Sequence, residues 1–254
     1  MANSLKSISN YVGVIDSGVG GLTVLRDLNK QFPQCNFVYL ADGAYCPYGV
    51  RPFDEIFDRI CVLVRYLVEQ GIAAIVLACN TASIFADKLR QKYPVPIYDV
   101  IVPTCNVVSE TTKTKRVALL ATNATVKSGV YKQRLNDHGI TVISFPCSSF
   151  VPFVESNTVD TKECDDAIQA ALQDLPRANV DVVILGCTHF PVIKNKIAPY
   201  ANGAKIIQCS TDFQPLLSSC ETTSKNLFFT TGVGKNATFA SQWYGKVRFE
   251  HVDL

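Results

Sequence analysis

The stretch Ile72-Ala73-Ala74-Ile75-Val76-Leu77-Ala78-Cys79-Asn80-Thr81 begins as an apolar run and ends in polar residues. A short run that is apolar throughout is typical of a strand covered on both faces of a parallel sheet. A second run, Val180 to Leu185, ends in the same way at Gly186-Cys187-Thr188. Ligands of open parallel sheets bind at the carboxyl ends of the strands. Cys79 and Cys187 are therefore the first candidate site residues.

Similar short apolar runs recur along the chain, and stretches of helical length separate them. The runs are Val12–Ile15, Phe37–Leu40, Val95–Tyr98, Val117–Leu120, Val142–Phe145 and Lys205–Ile207. Between two of them, Phe53 to Gln70 has apolar residues at steps of three and four and is followed by Gly71, as expected of an amphipathic helix with a glycine stop.

The spacing of the strand ends is alike in the two halves of the chain. Intervals of 26, 37 and 20 residues separate Asp16, Asp42, Cys79 and Asp99, and intervals of 25, 40 and 22 separate Thr122, Cys147, Cys187 and Cys209. We therefore predict an α/β protein made of two similar open, mostly parallel units of roughly 105 residues, related by internal pseudo-symmetry. Facing each other, the two units would form one cleft with Cys79 and Cys187 on opposite sides.

The composition excludes several classes of protein. The 254 residues are 48% hydrophobic and 18% charged, with a formal net charge of +2, so we expect neither disorder nor a nucleic-acid or membrane partner. The longest apolar run, Ile72 to Cys79, has only 8 residues, too few for a membrane span. Because Met1 to Asn10 is polar and lacks the apolar core of a signal peptide, we expect a cytoplasmic protein.

The chain has ten cysteines, and no two of them have C-x-x-C spacing. A zinc ribbon, a redox motif and, given a cytoplasmic location, disulfide bonds are therefore not expected. Most of the thiols should be small buried hydrophobic groups. They are Cys35, Cys46, Cys61, Cys79, Cys105, Cys147, Cys164, Cys187, Cys209 and Cys220.

Two opposed thiols without a metal suit the inversion of a carbon centre. One thiolate takes a proton from the carbon, and the other thiol delivers a proton to the opposite face, with no cofactor required. Asp16 and His189 are candidate partners that hold or relay a proton beside the thiols. The hydroxyl and amide side chains at the strand ends are suited to binding carboxylates: Ser17, Asn80, Thr81, Thr122, Thr125 and Thr188.

Two other interpretations stay open on spacing alone. The loop Asp16 to Gly21 contains Gly-x-Gly and could cradle a phosphate, with Asp42 placed to bind a ribose, although Thr23 stands where the dinucleotide fingerprint has its third glycine. The same loop could simply be a tight turn between strand and helix. The segment Cys46-Pro47-Tyr48-Gly49 has the composition of a surface turn.

The chain resembles the glutamate racemases of the aspartate/glutamate racemase superfamily over nearly its whole length. The Cys79 and Cys187 motifs are specific to that family, and together they displace the dinucleotide interpretation. The matching stretches are Asp16–Gly21, Pro47–Gly49, Ala78–Ser83, Ala121–Thr125 with Ser128-Gly129, Phe150–Pro152 with Val154-Glu155, Leu185–Pro191 and Phe229–Gly232, with a closing strand near Val247 to Val252.

The resemblance implies a cofactor-independent racemase without a metal, acting on glutamate and supplying D-glutamate for peptidoglycan. Cys79 and Cys187 match the two acid/base residues; Asp16, His189 and Glu155 match residues that assist them. Contacts to the substrate would come from Asp16-Ser17, Tyr48-Gly49, Asn80-Thr81 and Thr188-His189. The resemblance also implies a homodimer. It further implies two domains: a first made of residues 1–98 and 210–254, and a second made of residues 99–209.

Some positions depart from the family pattern, namely Gly43, Asp99 and Gln208-Cys209-Ser210. Because neighbours of the pocket set its length, aspartate or another acidic amino acid stays an alternative substrate. A non-catalytic protein that binds an acidic amino acid is a further alternative, although a mere binding site has no need of two easily oxidised thiols.

Overall fold

The computed structural model describes residues 10–213, 226–232, 244–245 and 247–254. The first nine residues, on which the absence of a signal peptide was argued, and Cys220 lie outside this part. The described strands are β1 (Tyr11–Asp16), β2 (Asn36–Ala41), β3 (Ala74–Leu77), β4 (Ile97–Asp99), β5 (Arg116–Ala121), β6 (Thr141–Pro146), β7 (Val182–Gly186), β8 (Lys205–Ile207), β9 (Asn226–Thr230) and β10 (Glu250–His251).

Helices of varied length connect the strands. The α-helices are α1 (Leu22–Gln31), α2 (Phe53–Glu69), α3 (Asn80–Ser83), α4 (Ala86–Lys92), α5 (Ile101–Thr111), α6 (Asn123–Ser128), α7 (Val130–Asn136), α8 (Phe150–Glu155), α9 (Lys162–Leu172) and α10 (Lys194–Ile197). Short 3-10 helices lie at Tyr48–Val50, Leu175–Arg177, Phe190–Ile193 and Ala198–Ala201.

The first sheet has the order β10-β9-β2-β1-β3-β4, and all its pairings are parallel. Its register places Asp16 of β1 beside Ala41, and Ile15 beside Leu77 of β3. Since β3 ends at Leu77, the chain turns through Ala78 and reaches Cys79 next to the end of β1. The register thus brings Asp16 and Cys79 to the same edge of the sheet.

The second sheet has the order β6-β5-β7-β8 and is also parallel throughout. Ala121 at the end of β5 pairs with Gly186 at the end of β7. The residues that follow these two positions, Thr122 and Cys187, therefore leave the sheet side by side. The predicted α/β fold with two similar parallel sheets is confirmed.

Helices cover the sheets through apolar stripes. In α2, the residues Ile56, Ile60, Leu63, Val64 and Leu67 are buried, and the helix is followed by Gly71 with φ of +80°, a left-handed conformation that suits glycine. One cluster of buried residues includes Val14 of the first sheet and Leu185 of the second. The two halves therefore share apolar packing.

The strands of the first sheet come from residues 11–99 and 226–251, and those of the second come from residues 116–207. The limits of the two domains, 1–98 plus 210–254 and 99–209, stay a prediction. Within the described residues, no helix combines the length and apolar character needed to cross a bilayer.

Candidate active site

Cys79 and Cys187 occupy corresponding positions at the ends of β3 and β7. Each is buried, with 5% of its surface exposed, and both line one small pocket between the two halves. The pocket is lined by Ser17, Pro47, Tyr48, Gly49, Cys79, Asn80, Thr81, Thr122, Val151, Cys187, Thr188 and His189. Its cavity volume is about 10 Å³, roughly what a single water molecule requires. The site is therefore closed as it stands.

Cys79 is a thiol in a dry, negatively charged environment. Burial raises its pKa to about 12, and the charge of Asp16 acts in the same direction. Its Sγ lies 3.7 Å from Ser17 Oγ, and a hydrogen bond donated by that hydroxyl to the sulfur lowers the pKa only in part. Before substrate binds, Cys79 is thus protonated at neutral pH and equipped to donate a proton.

Cys187 begins a chain of hydrogen bonds that crosses the second half of the site. Its Sγ lies 3.6 Å from His189 Nδ1, and His189 Nε2 lies 2.5 Å from Glu155 Oε1. Burial opposes the charged imidazolium, but the hydrogen bonds to Cys187 and Glu155 raise the pKa of His189 well above its ordinary value. His189 therefore carries a positive charge next to the Cys187 sulfur.

Glu155 is the counter-charge for His189. Burial alone would raise its pKa, but the hydrogen bond and charge of His189 and the backbone N–H of Val19 hold the pKa of Glu155 below its ordinary value. Val19 N donates to Glu155 Oε1 over 2.9 Å. Because Val19 follows β1 and Glu155 ends α8, this bond also joins the two halves of the molecule.

Asp16 is fully buried, and its charge acts on the Cys79 thiol. Its Oδ1 accepts from Gly18 N at 2.9 Å, and its Oδ2 accepts from Thr188 Oγ1 at 3.1 Å. Burial raises the pKa of Asp16 to about 6, against the opposing influence of the His189 charge and the Gly18 N–H. A carboxyl with this pKa can change its protonation state near neutral pH, which fits a group that assists proton transfer.

Three threonine hydroxyls meet where the halves face each other. Thr81 Oγ1 lies 2.9 Å from Thr122 Oγ1 and 3.3 Å from Thr125 Oγ1, and the latter two are 3.0 Å apart. Thr81 belongs to α3, while Thr122 and Thr125 belong to the start of α6. Since each hydroxyl can both donate and accept, this group can rearrange to bind an oxygen of a ligand.

Two of the predicted substrate contacts are engaged elsewhere. Asn80 accepts from Tyr131 Oη at 2.7 Å, and its Nδ2 donates to Cys209 Sγ at 3.0 Å. Tyr48 Oη donates to Asp42 Oδ2 at 2.6 Å. The prediction of a surface turn at residues 46–49, made from composition, is wrong, because Tyr48 and Gly49 are buried. Asp42 supplies the acceptor that lets the phenol be buried.

The structure brings together most of the predicted site residues, but in two layers. The thiols and Ser17, Tyr48, Gly49, Asn80, Thr81, Thr122, Thr188 and His189 line the pocket, whereas Asp16, Thr125 and Glu155 lie behind it. Sequence reasoning did not select Pro47 and Val151 as lining residues. Both lie in stretches that resemble the family, and that signal could have identified them.

The sequence also did not suggest a group of metal ligands. Cys46, Glu155 and His189 each offer one donor atom, and these atoms all lie within 4.8 Å of one another. This group adjoins the site, because Glu155 and His189 are also part of the Cys187 hydrogen-bond chain.

The two α/β units, each built on a parallel sheet, face each other, and each contributes one thiol to the shared pocket. This arrangement defines an isomerase of the racemase class. The model of the family described as Asp/Glu/Hydantoin racemase matches residues 12–211. The chain belongs to this family. It is 35% identical to the glutamate racemase of Streptococcus gordonii over 264 aligned positions, which cover 96% of this chain and 98% of that protein.

Solved structures agree with the sequence comparison. A glutamate racemase isoform from Bacillus anthracis superposes with a TM-score of 0.89 at 30% identity, covering 96% of this chain and 97% of that one. The glutamate racemase of Francisella tularensis in complex with D-glutamate gives a TM-score of 0.85 at 28% identity, with the same coverage. The enzyme class that the thiol pair predicted is thereby confirmed.

Proposed function

We propose that this enzyme interconverts L- and D-glutamate without a cofactor, with Cys79 and Cys187 as the two acid/base groups. The observation that carries the proposal is the burial of both thiols in one pocket, at corresponding strand ends of the two halves. A planar carbanion formed between them can be protonated from either face. The two thiols between them account for both protons of the reaction.

On the Cys187 side, the proposed role is proton removal. The charged imidazole of His189 lies 3.6 Å from Cys187 Sγ, and Glu155 forms a charge-assisted hydrogen bond with that imidazole. A thiolate at Cys187 takes the α-proton of one enantiomer. By the resemblance to the family, that enantiomer is L-glutamate.

On the Cys79 side, the buried thiol delivers the proton. Its pKa of about 12 keeps it protonated until a carbanion develops opposite it. The carbon then receives its new proton on the face opposite to the one that lost it, and the configuration is inverted. In the reverse direction the roles exchange; Ser17 is hydrogen-bonded to Cys79, and the charge of Asp16 acts on its thiol.

The substrate's carboxylates need hydrogen-bond donors, and the pocket walls supply hydroxyls. Ser17, Thr81, Thr122 and Thr188 reach the pocket from both halves. Since the closed cavity holds about one water, the amino acid enters only when the two halves or their loops separate. Closure around the substrate then excludes water, which protects the carbanion from solvent protons.

Glutamate is proposed over aspartate because the relatives and structures that match nearly the whole chain are glutamate racemases. D-glutamate made in this way would serve peptidoglycan synthesis, as the resemblance implies. A cytoplasmic location and a homodimer are part of the same proposal and rest on the same resemblance.

The test is hydrogen exchange in D2O. Reduced enzyme is mixed with L-glutamate, and in a parallel tube with L-aspartate, without added cofactor. We expect optical rotation to decay with glutamate, and deuterium to appear in the D-product before it appears in the remaining L-substrate, because two different thiols handle the two faces. Activity with aspartate alone would show that aspartate, not glutamate, is the substrate. Hydrogen exchange with neither amino acid would overturn the proposal.

Serine variants test the roles of the two thiols. We expect Cys79→Ser and Cys187→Ser each to reduce racemisation by at least roughly 10²–10⁴-fold, since a hydroxyl is a far weaker acid than a thiol. Both should still bind glutamate in calorimetry. Cys61→Ser, at a thiol on α2 outside the pocket, is the matched control and should retain turnover. Near-normal turnover in either pocket variant would rule out the two-thiol mechanism.

A further inference from the structure

Cys46 is a thiol that the proposed reaction does not use. It is partly exposed and precedes Pro47, whereas the reacting thiols lie in the pocket. Its thiol donates a hydrogen bond to the Glu155 carboxylate, which in turn contacts His189. The Cys46 side chain therefore reaches the outer end of the chain that begins at Cys187.

The three side chains offer one sulfur, one nitrogen and one oxygen donor. Zn²⁺ binds this mixture, with bonds of about 2.3 Å to sulfur and about 2.0–2.2 Å to nitrogen and oxygen. In a tetrahedral site the donor atoms are therefore roughly 3.3–3.8 Å apart. Here all three lie within 4.8 Å of each other, and His189 Nε2 and Glu155 Oε1 are 2.5 Å apart. Shifts of about an ångström in the side chains would suffice to fit the ion.

Charge balance also permits the exchange of protons for metal. The group now holds a neutral Cys46 thiol, a Glu155 carboxylate and a His189 imidazolium, as their pKa directions indicate. Binding of Zn²⁺ would release one proton from Cys46 and one from His189. The total charge of the group would stay the same, because two positive charges replace two protons.

We propose that Cys46, Glu155 and His189 form an inhibitory site for a thiophilic divalent cation such as Zn²⁺. The ion takes His189 Nε2 and Glu155 as ligands, and the side-chain shifts that this requires disturb the contact between His189 Nδ1 and Cys187 Sγ, so proton removal stops. The inhibition, though not the binding, rests on the proposed function. Asp16, Cys79, Cys187 and Tyr39 are the other titratable groups that face this cluster.

The variant Cys46→Ser tests the site. A serine hydroxyl can still donate to Glu155 but is a poor zinc ligand, so activity without metal should stay close to that of the wild type. In metal-buffered Zn²⁺, we expect the wild type to lose activity, and Cys46→Ser to require on the order of 100-fold more free zinc for the same loss. Cys61→Ser should behave as the wild type does.

Binding is measured separately from activity with Cd²⁺. The wild type and Cys61→Ser should show a thiolate-to-cadmium absorption band in the ultraviolet, and Cys46→Ser should lack it. Because two protons compete with the metal, the wild type's affinity should rise by up to roughly 100-fold per pH unit. Equal zinc sensitivity and equal bands in wild type and Cys46→Ser would place the metal elsewhere, for example on Cys79 and Cys187, and would overturn the proposal. If the enzyme proved inactive with every amino acid, the cadmium band would still decide the binding.

Discussion

At the scale of single residues, burial and neighbouring charges set the protonation of the site. Cys79 and Asp16 are both buried near the same strand edge, and the pKa of each is raised, to about 12 and about 6 respectively. The His189–Glu155 pair lies beside Cys187 and holds opposite charges together. The two thiols thus face different electrostatic environments although their positions in the fold correspond.

The variant Asp16→Asn should show by how much the buried, charged carboxylate of Asp16 lowers the free energy of unfolding. The pKa of Asp16 is about 6 in the folded protein, against an ordinary value of 3.8, so the folded state binds this proton more tightly than the unfolded state does. Wild-type stability attributable to Asp16 is therefore present below about pH 4 and is lost as the pH rises toward 6. Relative to the wild type, the free energy of unfolding of Asp16→Asn should increase by up to roughly 3 kcal/mol as the pH rises through that window.

Urea unfolding at a series of pH values measures this difference. The exposed Asp137→Asn is the control and should show no comparable trend. If the stability of Asp16→Asn relative to the wild type stayed flat from pH 4 to pH 7, the shifted carboxyl would not be Asp16. We also expect the variant to lose most of its turnover.

At the scale of elements, the short 3-10 helix at Tyr48–Val50 packs against the start of α6. A Cβ added at Gly49 would lie 2.5 Å from Thr122 Cβ, closer than atoms can approach. Only glycine lets these elements meet with Thr122 next to Thr81. The contact thus sets how closely the two halves approach at the pocket.

Gly49→Ala should push Thr122 away from Thr81 and widen the site. We expect kcat/KM to fall by tenfold or more, together with a loss of about 1–3 kcal/mol from overpacking. Gly139→Ala is the comparison: its Cβ meets nothing within 4 Å, but its φ is +69°. It should lose about 1 kcal/mol of stability while kcat/KM stays unchanged. Unaltered kinetics in Gly49→Ala would show that the contact does not shape the pocket.

At the scale of the whole molecule, a buried ion pair ties distant parts of the chain together. Arg59 on α2 donates to both oxygens of Asp42, at 2.6 and 2.8 Å, and to the main-chain oxygen of Leu254 at 2.8 Å. Tyr48 and Thr231 each donate to Asp42 at 2.6 Å. The network therefore connects the pocket wall to the segment after β9 and to the end of the chain.

Arg59→Met should leave the Asp42 charge buried without its cation and destabilise the protein by about 3–5 kcal/mol. Denaturant unfolding measures the loss. The double variant Asp42→Asn with Arg59→Met should recover part of it, because the uncompensated charge is gone. Arg177→Met, at an exposed ion pair with Asp174, should change stability little. A loss below about 1 kcal/mol in Arg59→Met would mean that water or another group compensates Asp42.

The amino-acid sequence by itself determined the two parallel sheets and the positions of both thiols. Apolar runs and strand-end residues are local signals, and equal spacing in the two halves made the pairing of Cys79 with Cys187 visible. The link from His189 to Glu155, 34 positions apart, came only from the resemblance. The burial of Tyr48, the capture of Asn80 by Tyr131 and the approach of Cys46 to Glu155 depended on the tertiary structure. Hydrogen-bond partners far apart in the chain are chosen by how helices and loops pack, and no local periodicity records that choice.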